Sequence, residues 1–174
     1  MYISESAFMD LVLSSAEVYK KECLGILLGY RLEDRFIIEH AFTYQTAKRK
    51  PKGVVFQRRR HKKIEEILKK FERLQVLGDF HSHTQFGPMK GIPNPSEVDI
   101  RGMQAGKIYL IVVINDNERK IQWKENRDGT LSGTLGRFYY KISAHYLYRR
   151  KGLNGKMAKR AKIYCNFSTG MNGA

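Results

Sequence analysis

Apolar residues recur along this chain with two periods, and the switches between them mark out its elements. Phe8, Leu11, Val12, Ala16 and Tyr19 lie at helical spacing behind Ser4 and Ser6, either of which can cap a helix. A first amphipathic helix is expected there. Residues 22–30 form a nearly continuous apolar run closed by Gly29, which reads as a buried strand. A turn over 31–34 and a returning strand over 36–44 follow. Residues 48–53 are basic and broken by Pro51 and Gly53, and predict a loop. Ile64, Ile67, Leu68, Phe71 and Leu74 fit the i, i+3, i+4, i+7 rule, which predicts a second helix over about 59–74. A strand over 75–83 comes next.

Gly87, Pro88, Gly91 and Pro93 make residues 84–94 a loop, and Ser96 begins a short helix to about Ala105. Residues 108–114 are the longest apolar run and predict a buried strand. Another strand is expected over 119–124 after a turn at 115–118, and residues 126–129 signal a further turn. Residues 134–148, rich in aromatics, predict one long edge strand. A break is expected at 151–155, and the glycine-containing tail is expected to fray. There is no internal repeat. The pattern predicts an α/β (α+β) domain in layers, a mixed central sheet flanked by about three helices. One domain is expected over residues 1–150, with residues 151–174 as a basic C-terminal extension.

Length and composition narrow the class. A chain of 174 residues with 42% hydrophobic content fits one domain with a real core. No apolar run approaches the roughly 20 residues of a membrane helix. Glu5 and Asp10 occupy the place of a basic n-region, so no signal peptide is expected and the cytoplasm is the default location. Cys23 and Cys165 match no CxxC pattern, which excludes a cysteine zinc site and leaves their pairing open. The formal net charge is +15, and Asp128 is the last acidic residue. Arg137, Lys141, Arg149, Arg150, Lys151, Lys156, Lys159, Arg160 and Lys162 follow it unopposed. Such a surface is either simply solvated or attracts nucleic acid or an acidic protein.

The chemistry concentrates in two short stretches. In a strand over 75–83, His81 and His83 point to the same face, because side chains alternate. Two buried, unpartnered imidazoles would cost a few kcal/mol; a metal ion removes that cost. Asp99, in the first turn of the following helix, can supply a third ligand, and three protein ligands with one open position suit catalytic zinc. The alternative for this second stretch is a helix start, with Ser96 as N-cap and Asp99 as its capping-box carboxylate. Both readings can hold together. A catalytic zinc also needs a proton acceptor. Glu22, an acid at the head of an apolar strand, is the candidate. His40, His61 and His145 have no motif around them and are expected to be structural or on the surface. Trp123 is expected in the core or on a sheet face.

Glu22-Cys23-Leu24-Gly25-Ile26-Leu27-Leu28-Gly29, then His81-Ser82-His83, then Ser96-Glu97-Val98-Asp99 together resemble the JAMM (MPN+) metalloprotease signature. The resemblance covers roughly residues 4–124. It implies a cytidine-deaminase-like fold and hydrolysis of peptide or isopeptide bonds, often those joining ubiquitin or a ubiquitin-like modifier to lysine. It implies one zinc ion held by His81, His83 and Asp99. Glu22 becomes the general acid/base, and Ser96 the hydrogen-bond donor to the tetrahedral oxyanion. Ser82 is expected to face away from the metal into a structural hydrogen bond. This chain departs from the signature in two places. Thr84 stands where the family ordinarily has proline, and twelve residues, 84–95, replace a shorter connection. The longer loop is expected to form a lid or a binding edge.

Base deamination is disfavoured, since neither HxE nor PCxxC is present. The main expectation is a zinc metallopeptidase acting on a ubiquitin-like or sulfur-carrier-like protein, whose extended tail adds along a sheet edge. The alternatives are a nucleic-acid-associated binding module, with Tyr139, Tyr140, Tyr146 and Tyr148 stacking among basic residues, or a non-catalytic scaffold on the same fold. An oligomer is compatible with either.

Overall fold

Every residue from Ile108 to Asn115 is buried, which requires a strand covered on both faces. The computed structural model describes residues 1–50, 53–55, 58–148 and 156–173. In chain order the elements are β1 (Tyr2–Ile3), α1 (Glu5–Glu17), β2 (Leu24–Leu32), β3 (Arg35–Thr43), β4 (Lys48–Lys50), β5 (Gly53–Val55), α2 (Arg58–Leu68), β6 (Gln75–Thr84), α3 (Glu97–Gly102), β7 (Ile108–Asp116), β8 (Lys124–Glu125), β9 (Leu131–Leu135), β10 (Phe138–Tyr148), β11 (Met157–Ala161) and α4 (Asn166–Gly170). Among the described residues, nine strands form one mixed sheet in the order β1-β3-β2-β6-β7-β10-β9-β8, with β11 also paired to β10. β6 and β7 run parallel at its centre. β4 and β5 form a separate hairpin.

The sheet carries a core on each side. Ser4 caps α1, its hydroxyl accepting the Ala7 N–H at 3.2 Å. The helix buries Ala7, Phe8, Leu11 and Val12 against Leu27, Ile38, Phe80, Leu110, Val112 and Ile142. On the other face, a smaller cluster of Ile26, Leu28 and Tyr44 packs against Ile64 and Leu68 of α2. Trp123 lies in the first core, as expected, its ring edge-on to Phe8 at 4.8 Å. Among the described residues, no helix is long and apolar enough to cross a membrane.

Several boundaries differ from expectation, each for a local reason. The long strand expected over 134–148 is two strands. Gly136, at φ +55°, turns the chain between the paired residues Leu135 and Phe138. The second helix stops at Leu68 rather than Leu74, and Phe71 stays 55% exposed: past Leu68 the apolar stripe has little to cover it. Of the basic segment expected as a loop at 48–53, Lys48–Lys50 and Gly53 lie instead in the paired strands β4 and β5. Of the strand expected over 119–124, only Lys124 is in one, paired to β9. The break expected at 151–155, and with it the boundary at 150/151, lies outside the described residues.

Among the described residues there are four helices rather than about three, because the tail does not fray. Phe167 of α4 meets Phe8 at 5.9 Å, and the Asn172 side chain exchanges two hydrogen bonds with the Trp123 backbone. Ile163 and Cys165 are buried in the same core as α1, and no disulfide joins Cys23 to Cys165. Truncating Ile163 to Ala should therefore lower the unfolding free energy by about 2–4 kcal/mol in urea titrations. An unchanged midpoint would mean that the C-terminal segment lies detached from the domain.

Candidate metal centre

The site grows out of the alternation along β6. Phe80 and Ser82 point into the α1 core and are fully buried. His81 and His83 point to the other face. Ser82 does face away from the histidines and does make a structural bond. Its backbone N–H donates to the Cys23 carbonyl at 3.1 Å, and its hydroxyl accepts the Cys23 N–H at 2.9 Å. The hydroxyl thus extends the β2–β6 ladder, in which Leu24 sits opposite His81. Continued by two residues, that register sets Glu22 opposite His83, on the face of the histidines. Buried Cys23 points the other way, against Ser15 of α1.

α3 brings the third candidate ligand, Asp99. Nε2 of His81 lies 3.0 Å from Nε2 of His83, 3.6 Å from Oδ1 of Asp99, and the His83 Nε2 lies 4.0 Å from Oδ2 of Asp99. Zinc–nitrogen bonds of about 2.0–2.1 Å place tetrahedral ligand atoms roughly 3.3 Å apart, so these separations bracket what one ion requires. The donor set fits as well. Nδ1 of His83 lies 2.8 Å from the Ile92 carbonyl, which can only accept, so Nδ1 carries the proton and Nε2 offers its lone pair. The three side chains remain 12–24% exposed, open to an incoming ion. Among the described residues, this is the single group of three or more such side chains close enough to share a metal.

Comparison with known proteins agrees with this geometry. Residues 4–126 match the family described as prokaryotic homologs of the JAB domain. The chain belongs to the prokaryotic JAB family. This JAB domain shares its fold with protein DSY2949 from Desulfitobacterium hafniense, known from a solution structure, with a TM-score of 0.63 and 16% identity over 95% of this chain and 93% of that one. No curated protein matches the sequence at significant similarity.

Burial sets the electrostatics of the JAB domain's site. It pushes the pKa of His81 down to about 4, with the neighbouring His83 adding to the effect. Burial also raises Glu22 to about 7 and Asp79 to about 7, in both cases helped by the negative Asp99. Burial alone would raise Asp99 too. The two histidines and hydrogen bonds from Ser96 outweigh it and hold that carboxyl below its ordinary value. The site thus keeps an ionised Asp99 beside a neutral His81, protonation states that metal ligation needs.

Ser96 makes the capping box and more. Its backbone N–H and its hydroxyl both donate to Oδ2 of Asp99, each at 2.7 Å, while Asp99 N–H donates back to the hydroxyl at 3.2 Å. This orients Asp99 with Oδ1 toward His81. The oxyanion role implied by resemblance requires that hydroxyl proton to leave Asp99. Sequence reading passed over Asp79, which lies two residues before His81 on the same strand. It also assigned His145 no part beyond structure. His145 and Ser143 lie at period two on β10, as His81 and His83 do on β6, and that polar pair inside an apolar strand was the available signal. His40 stays at the periphery, with Nδ1 3.2 Å from the Ser6 hydroxyl.

Glu22 gives a pH-dependent prediction. Its ordinary value is 4.5 and its folded value about 7, so the folded state binds its proton more tightly than the unfolded state. Its contribution to stability therefore falls as pH rises from 4.5 toward 7 and stays lost above. In chelator-treated protein, Glu22→Gln should raise stability at pH ~8 by on the order of 1 kcal/mol, allowing for partial exposure, and change it little at pH ~4. Thermal melts of both proteins across this range measure the difference. A gain equal at both ends would show that Glu22 ionisation does not strain the fold.

Proposed function

We propose that this JAB domain is a zinc-dependent peptidase or isopeptidase that cuts at the C-terminal tail of a ubiquitin-like or sulfur-carrier-like protein. The observation that carries the reading is Glu22: a partly buried carboxyl with its pKa near 7, on the sheet face that gathers His81, His83 and Asp99. His81, His83 and Asp99 would hold the ion. Zinc bound there supplies Lewis acidity toward a scissile carbonyl and makes water acidic near neutral pH.

Glu22 takes a proton from the attacking water and returns it to the leaving amine nitrogen as the carbon–nitrogen bond breaks. A carboxyl with a pKa near the working pH can do both. Ser96, once it turns from Asp99, donates to the oxygen that becomes negative. Four exposed apolar side chains support a protein substrate. Phe86, Met89 and Ile92 sit in the loop between the ligands, and Val98 sits beside Asp99. Exposed apolar groups gathered at a polar site suit the apolar tail of a modifier. The net charge of +15 suits an acidic one.

The test is metal content together with cleavage of a linear fusion between a sulfur-carrier-like protein and a C-terminal reporter. About one zinc per chain is expected. Cleavage should stop on chelation and return with zinc, and Glu22→Gln should lower kcat/KM by about 100-fold or more while the metal stays bound. Cleavage indifferent to both chelator and Glu22→Gln would sink the proposal.

A further inference from the structure

The twelve residues between His83 and Ser96 are pinned at four consecutive positions. Asn115 of β7 brackets Gly91: its Oδ1 accepts the Gly91 N–H at 2.9 Å, and its Nδ2 donates to the Gly91 carbonyl at 3.4 Å. Gly91 lies so close to β6 that a Cβ there would meet the His83 carbonyl oxygen at 2.4 Å. The Ile92 carbonyl accepts from His83 Nδ1 at 2.8 Å. The Pro93 carbonyl takes two donors from β10, the Ser143 hydroxyl at 2.7 Å and the His145 Nε2 at 3.0 Å. Arg160 of β11 donates through Nη2 to the Asn94 side-chain oxygen at 2.7 Å. Residues 91–94 are therefore a strap tied to four strands. In the middle of that strap is the one carbonyl that fixes the ring of His83.

Ser143 and His145 are both buried, and His145 Nε2 also lies 3.0 Å from the Ser143 hydroxyl oxygen. Holding a loop down does not require a buried imidazole and hydroxyl; apolar packing would do so without their desolvation cost. What this pair supplies is a defined position for the Pro93 peptide, and hence for the neighbouring Ile92 carbonyl. Partners of ligating histidines set ring orientation and tautomer, and their removal typically weakens metal binding 10–100-fold.

We propose that Ser143 and His145 are positioning residues for the metal site, acting through the Pro93 carbonyl and the Ile92 carbonyl on His83. The proposal rests on the reading that His81, His83 and Asp99 bind a metal. It extends that reading to two residues of β10 that touch neither metal nor substrate.

The experiment titrates metal-free full-length protein with cobalt(II), follows the ligand-field absorption bands, and measures zinc affinity by competition with a chromogenic chelator. His145→Phe should weaken cobalt binding roughly tenfold or more and alter the bands, and Ser143→Ala should weaken it about threefold. His145→Gln, which keeps a donor toward Pro93, should recover most of the affinity. Val12→Ala, a core truncation behind the other face of the sheet, should lower the melting temperature and leave affinity and bands unchanged. Nitrogen-15 shifts of the metal-free protein give a second readout: the His83 ring should be fixed as the Nδ1–H tautomer, and become a mixture in His145→Phe. If His145→Phe does not fold, Ser143→Ala, which removes one oxygen, carries both readouts. Wild-type protein that binds cobalt while these variants keep its affinity, bands and His83 tautomer would overturn the positioning role alone. Wild-type protein that binds neither cobalt nor zinc would overturn this role and the proposed function together.

Discussion

A slip of one residue along β6 would turn His81 and His83 into the apolar core and bring Phe80 and Ser82 out to the solvent side. The whole site depends on that register. It is held from both sides: by the antiparallel pairing to β2, extended at its end by the Ser82 hydroxyl, and by the parallel pairing to β7. Gly78 makes the second pairing tight, since a Cβ there would fall 1.6 Å from the Ile108 carbonyl oxygen. The close approach of β6 and β7 also lines up Tyr109, Ile111 and Val113 beside Asp79, His81 and His83, giving the ligands a floor.

On that floor the site holds titratable groups whose charged forms burial disfavours. A neutral His81 faces His83 across 3.0 Å, and two carboxyls have their ionisation delayed to near neutral pH. A positive ion at the cluster would relieve much of this at once by pairing with the nitrogen lone pairs and with negative Asp99 and Glu22. The strain sits on one face of the sheet, and the apolar packing of α1 that tolerates it sits on the other. Such a division is common where function and stability compete.

Much of this could be read along the chain, and the parts that could not have physical causes. Period-two spacing placed His81 and His83 on one face, and the capping chemistry of Ser96 and Asp99 marked the start of α3, because both signals are local. The β9–β10 hairpin was missed because the aromatic run that opens at Phe138 drew a single strand back across Gly136 to Thr134. α4 was missed because five residues carry too little periodicity to announce a helix; Phe8, far away in sequence, packs on it, and Trp123 holds Asn172 just past its end. The role of His145 was invisible for a similar reason. Its partner is a backbone carbonyl fifty-two positions away, and no side-chain pattern encodes a carbonyl.

The far end of α3 is held by a residue made much later. Lys156 donates to the carbonyls of Arg101 and Met103, fifty-five and fifty-three positions earlier, and closes the helix that carries Asp99. During synthesis from the N-terminus, both histidines and the aspartate leave the ribosome well before this lysine does. The candidate ligands exist in a nascent chain, while the contact that closes their helix waits for Lys156. A candidate metal site is thereby kept incomplete until a lysine more than fifty positions beyond its helix has been made.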